Sequence, residues 1–65
     1  MRITVNGEDL SVDSEVLAEI LQECGYEQQK IATAVNGEFV CRSSRDTTKI
    51  KTGDRIEIVA PISGG

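Results

Sequence analysis

Apolar and polar residues alternate at the start of the chain. Ile3 and Val5 stand between Arg2 and Thr4, and Leu10 and Val12 resume the alternation after Asn6-Gly7. A period of two points one side of each run toward a core, and Asn-Gly supplies the paired positive φ angles of a type I′ turn. This pattern predicts a hairpin. The period then changes: Val16, Leu17, Ile20, Leu21 and Cys24 fall on one helical stripe. Asp13-Ser14 is the expected N-cap, Glu15 an acid in the first turn, and Gly25 the stop. Glu15, Glu19 and Glu23 share another face, where like charges repel slightly and prefer solvent. They read as solvated surface, or alternatively as an acidic strip that steers the protein toward a basic partner.

After a polar connection at 26–30, Ile31 to Val35 reads as a strand leading into a second Asn-Gly at 36–37, and Phe39-Val40-Cys41 completes a second hairpin. Alternation leaves open which side of 31–35 faces inward: Ile31, Thr33 and Val35, or Ala32 and Ala34. Arg42 to Lys51 is polar and rich in serine and threonine, with Ile50 its apolar anchor. It is expected to be a surface connection rather than a regular element. Thr52-Gly53-Asp54 turns the chain into a last strand from Arg55, with Ile56 and Ile58 facing inward and Pro61 ending it.

The order strand, strand, helix, strand, strand, strand predicts one α+β unit over residues 1–65 with a tail at 61–65 expected to be flexible. Strands one and five would pair in parallel, because the helix and the second hairpin intervene. That is a β-grasp (ubiquitin-like) arrangement, a mixed sheet of four to five strands with one main helix across one face. No internal repeat, linker or low-complexity segment stands out.

Composition narrows the function classes. A net charge of -4, with one Tyr and one Phe, supplies neither the basic patch nor the stacking aromatics that nucleic-acid binding needs. Proteins with basic docking surfaces are the expected partners, and no run of apolar residues is long enough to span a membrane. The alternating segment begins at Arg2 with no apolar stretch ahead of it, so a cytoplasmic location and free thiols at Cys24 and Cys41 are expected. With no His and only those 2 Cys, neither a metal site of imidazole and thiolate nor a Ser-His or Cys-His pair can be assembled. No catalytic residue and no bound cofactor or metal is expected. The chain reads as a substrate or binding module rather than an enzyme.

The sharpest feature is Gly64-Gly65, which follows the last strand through Pro61-Ile62-Ser63. Two residues without Cβ can thread a channel too narrow for side chains and deliver a bare carboxylate to another protein's active site. The alternative is an ordinary frayed end. Cys41 invites a role for a reactive thiol, but at alternating spacing on a strand it reads as a small packing residue, and Cys24 as a core residue of the helix stripe. Phe39 and Val59, with Ile62 and Pro61 near the tail, form a candidate docking patch on the open sheet face. Alternatively, Phe39 closes the core.

Taken together, the opening Ile-x-Val-Asn-Gly, the helix at Val16 to Leu21, Ala-Val-Asn-Gly-x-x-Val at Ala34 to Val40, the Gly53-Asp54 turn and Gly64-Gly65 resemble the ThiS family, the sulfur carrier proteins of thiamin biosynthesis. The resemblance covers essentially the whole chain. It departs from the family at Cys41-Arg42, where members often have proline before the arginine, and at Pro61 in the approach to the tail. It implies that a ThiF-like adenylating enzyme uses ATP to activate the Gly65 carboxylate, recognising Gly64, Ser63 and Ile62. Sulfur from a cysteine desulfurase then yields a thiocarboxylate, which a thiazole synthase of the ThiG type accepts. A carrier of this kind is expected to be a monomer when free. The alternatives are a carrier for another pathway, like the small subunit of molybdopterin synthase, a ubiquitin-like protein modifier, or a passive β-grasp interaction module.

Overall fold

The computed structural model describes residues 1–60. Strands β1 (Arg2–Val5) and β2 (Glu8–Ser11) form the first hairpin, and β3 (Ala32–Val35) and β4 (Glu38–Val40) the second. Helix α1 (Leu17–Glu23) lies between the hairpins in sequence, and β5 (Arg55–Val59) closes the order. The 5-stranded sheet runs β2-β1-β5-β3-β4, so the last strand occupies its centre. β5 is parallel to β1, with Thr4 beside Arg55 and Val5 beside Ile56, and antiparallel to β3 from Ala32↔Val59 to Val35↔Ile56. This is the arrangement that the order of elements predicts.

Both Asn-Gly pairs adopt the expected turn geometry, with φ of 51° and 85° at Asn6-Gly7 and 52° and 85° at Asn36-Gly37. The core lies between α1 and one sheet face: Ile3, Val12, Leu17, Ile20, Leu21, Ile50, Ile56 and Ile58. Cys24, Tyr26, Ile31, Val35 and Val40 pack around its edge. The open choice on the third strand is decided for Ile31, Thr33 and Val35, since Thr33 is buried while Ala32 is exposed.

Three expectations give way. The helix begins at Leu17, with Val16 at its N-cap position and no side-chain cap, so Asp13 and Ser14 do not cap it and Glu15 precedes it. Backbone pairing takes over that role. Val16 bridges Lys49, the Leu17 amide donates to the Thr48 carbonyl at 2.9 Å, and the Ile50 amide donates to Glu15 at 2.8 Å. The loop before the helix is held from the other end of α1, where the Glu23 carboxylate accepts from the Asp13 and Ser14 amides and from the Ser14 hydroxyl.

The second correction concerns 42–51, which contains a 3-10 helix, Arg42–Thr47, that buries Arg45 to 1 % exposure. Its guanidinium donates to the carbonyls of Gln28 (2.6 Å) and Ile31 (2.7 Å) and to the Thr33 hydroxyl (3.1 Å). Polar composition hid a buried element because its inward residue is itself polar. The third concerns Leu10: Val12 on the same alternation is buried, but Leu10 remains 36 % exposed. β2 is an edge strand and α1 is only 7 residues long, so a shallow groove separates Leu10 from Cys24 and Tyr26.

Candidate functional site

The centre of the sheet delivers the chain to its tail. β5 ends at Val59, Ala60 follows, and Pro61, Ile62, Ser63, Gly64 and Gly65 lie outside the described residues.

At the end of β5 the open sheet face carries an apolar patch. Phe39 is 72 % exposed and Val59 67 %, so Phe39 does not close the core. Register explains the grouping: Phe39 pairs with Ala34, Ala34 with Glu57, and Ala32 with Val59, and side chains of directly paired residues share a face. The two alanines leave a cleft of about 240 Å³ between the larger side chains, with Glu57 at its border. Two large apolar side chains are thus exposed on one sheet face, on either side of Ala32 and Ala34.

The end of β5 itself is held by an amide. β1 pairs with β5 only as far as Val5 and Ile56, after which the Asn6 amide N–H takes the Ile56 carbonyl at 2.9 Å and the chain turns away. Beyond that point the Asn6 side chain substitutes for a strand. Its Oδ1 accepts from the Ile58 N–H at 2.7 Å, and its Nδ2 donates to the Ile58 carbonyl at 3.2 Å. Asn36 does the corresponding work at the start of β5, accepting from the Arg55 N–H at 3.0 Å and donating to the Asp54 carboxylate at 3.1 Å. The Lys51 amide and then Asn36 hold the Asp54 carboxyl below the usual range. The asparagines were expected only as turn residues. A signal for their shared second role was present, since Val-Asn-Gly-Glu stands at 5–8 and again at 35–38, although no repeat was expected.

Cys41 departs from expectation in another way. It is exposed rather than packed, because β4 ends at Val40 and the chain leaves the sheet there to enter the 3-10 helix that carries Arg45 inward. Its sulfur lies 3.4 Å from the Ser43 hydroxyl and 3.2 Å from that of Ser44, and these contacts lower the thiol to about 7. Cys24 is free as well but half-buried against the core, and burial pushes its thiol up. Among the described residues no group of acidic and thiol side chains is arranged to hold a metal ion. No helix among them is long and apolar enough to cross a membrane.

Among the described residues the geometry is an exposed apolar patch that takes in the strand leading toward Gly64-Gly65. The family model for the ThiS family matches residues 1–65. The chain belongs to the ThiS family. It is 30 % identical over 63 residues to the sulfur carrier protein ThiS of Thermus thermophilus, covering 97 % of this chain and 98 % of that one. Two structures of a ThiS protein from Geobacter metallireducens superpose on it. The crystal structure gives a TM-score of 0.84 at 30 % identity, with all of both chains covered. The solution structure gives 0.81 at 32 %, covering 100 % of this chain and 88 % of that one. A thiazole synthase from Paramagnetospirillum magneticum is 36 % identical over 66 residues, and the chain spans only 20 % of that protein's length. The ThiS fold is the ubiquitin-like β-grasp, and the protein is a small sulfur carrier of thiamine biosynthesis.

Proposed function

We propose that sulfur is carried on Gly65, whose α-carboxylate is activated and converted to a thiocarboxylate by partner enzymes. The observation that carries this reading is that the ThiS match runs through residue 65 and so includes the diglycine. In the first step a carboxylate oxygen attacks the α-phosphorus of ATP on a ThiF-like enzyme, and pyrophosphate leaves. The terminal sulfur of a persulfide supplied by a cysteine desulfurase then attacks the acyl carbon and AMP departs. A thiol cleaves the resulting acyl disulfide, leaving the thiocarboxylate on Gly65. Glycine offers the least hindrance at that carbonyl, and Gly64, Ser63 and Ile62 provide a narrow approach for the enzyme's channel.

Phe39 and Val59, with Pro61, form the docking surface in this reading. The acceptor is a thiazole synthase. A protein of that name contains a segment similar to this chain, which supports the two working together. The protein is thus acted upon rather than catalytic, ATP belongs to the activating enzyme, and the cytoplasm, where ATP and persulfide carriers meet, is the compartment. We assign residues 1–65 to a single domain ending in the tail 61–65.

Intact mass after incubation with ATP, a ThiF-like enzyme and a persulfide donor tests this. The expected result is exchange of one oxygen for sulfur at Gly65 in the full chain, and no change when Gly65 is deleted. Conjugation to lysine would instead make the protein a modifier. An unchanged mass with an enzyme proven on another carrier would favour a passive module.

A further inference from the structure

We infer that Asn6 is a positioning residue for sulfur transfer, its side-chain amide fixing the direction in which β5 presents the tail. This inference rests on the reading that Gly65 is the reacting group. The main-chain groups of Ile58 face the side of β5 from which β1 has already departed, so no strand is left to pair with them. Asn6, 52 positions away in the chain, supplies an acceptor for the N–H and a donor for the carbonyl, the two functions a neighbouring peptide unit would provide. Only Val59 and Ala60 then separate Ile58 from Pro61. On the other side of β5, Ala32 pairs with Val59, so the end of β5 is gripped from both sides.

The consequence for activation is a population effect. If the Ile58 contact is lost, the end of β5 frays, and the fraction of molecules in which β5 is formed as far as Val59 falls. Apparent affinity for the activating enzyme falls by the same fraction. Once bound, the enzyme's own channel orders the tail, so turnover of the bound complex is preserved. A residue that mattered only for stability would not produce this split.

The molecule contains its own control. Asn36 has the same sequence context and the same positive φ, and its Oδ1 likewise accepts from a β5 main-chain N–H, that of Arg55, while its Nδ2 donates to the Asp54 carboxylate, at the end of the strand remote from the tail. Asn6→Gly and Asn36→Gly each leave a Gly-Gly turn, which accepts these φ angles, and each removes the amide. Both should lower the denaturation midpoint to a similar extent. Asn6→Gly should raise the KM for the carrier in the ThiF-like adenylation assay by a factor of up to about ten, the ceiling set by two lost hydrogen bonds, with kcat unchanged. It should also speed hydrogen exchange at the Ile58 amide. Asn36→Gly should leave KM unchanged and speed exchange at Arg55.

Equal KM values in the two variants, or unaltered Ile58 exchange in Asn6→Gly, would overturn the proposal. Asn6→Asp keeps the acceptor for Ile58 and tolerates positive φ, so it should fall between wild type and Asn6→Gly even if the glycine variant folds poorly. A wild-type protein that is never adenylated is a different failure: it removes the Gly65 reading and this proposal with it.

Discussion

Arg45 shows how one side chain can organise a connection that looks unstructured. Its fork reaches Gln28, Ile31 and Thr33, and the Thr33 hydroxyl in turn donates to the Val40 carbonyl at 3.0 Å. The entry to β3, the end of β4 and the 3-10 helix are joined through one guanidinium. Nothing in Arg-Ser-Ser-Arg-Asp distinguishes Arg45 from Arg42, because both sit among hydroxyls and charges. Only the protein around it makes one of them internal. An ammonium cannot serve three acceptors in that planar arrangement. Arg45→Lys should therefore cost about 1 to 3 kcal/mol, a large share of the roughly 3 to 10 kcal/mol available to so small a domain. Chemical denaturation measures it, and an unchanged midpoint would show the contacts to be incidental.

At the scale of elements, the helix stripe and both Asn-Gly hairpins were legible because each is a local pattern with a local cause. The helix start was not. Asp13-Ser14 has the composition of a cap, but the Leu17 amide finds the Thr48 carbonyl, a partner 31 positions away that no local pattern reveals. The turn before β5 has a similar long-range component, since Asp54 receives the Lys51 amide at 2.9 Å together with the Asn36 side chain. These bonds depress the Asp54 carboxyl in the folded state, and those from Asp13 and Ser14 do the same for Glu23. A depressed carboxyl contributes stability that is present above its unfolded pKa and is lost as pH falls through its folded pKa. The melting temperature should therefore decline on acidification below about pH 4. Asp54→Asn should start lower at neutral pH and decline less. Parallel curves for the two proteins would remove Asp54 from that account.

For the molecule as a whole, the sheet order places β5 at the centre, so the strand that leads to the tail is also the best supported. Core residues lie on one face and the Phe39–Val59 patch on the other. This separation predicts that Phe39→Ser, at a side chain 72 % exposed, changes the melting temperature little while weakening binding to the activating enzyme. Titration calorimetry with that enzyme would check it, and equal affinity for the two proteins would move the docking surface elsewhere.

The amino-acid sequence alone determined the hairpins, the helix stripe and the parallel pairing of first and last strands, and it places Gly64-Gly65 beyond the last strand. Periodicity, turn chemistry and missing side chains act over a few residues. Tertiary structure decided the burial of Arg45, the exposure of Phe39 and Cys41, the inward face of β3 and the pairing of Asn6 with Ile58. In each of these, the partner that settles the side chain's environment comes from another element, and burial or hydrogen bonding exists only once the sheet is assembled.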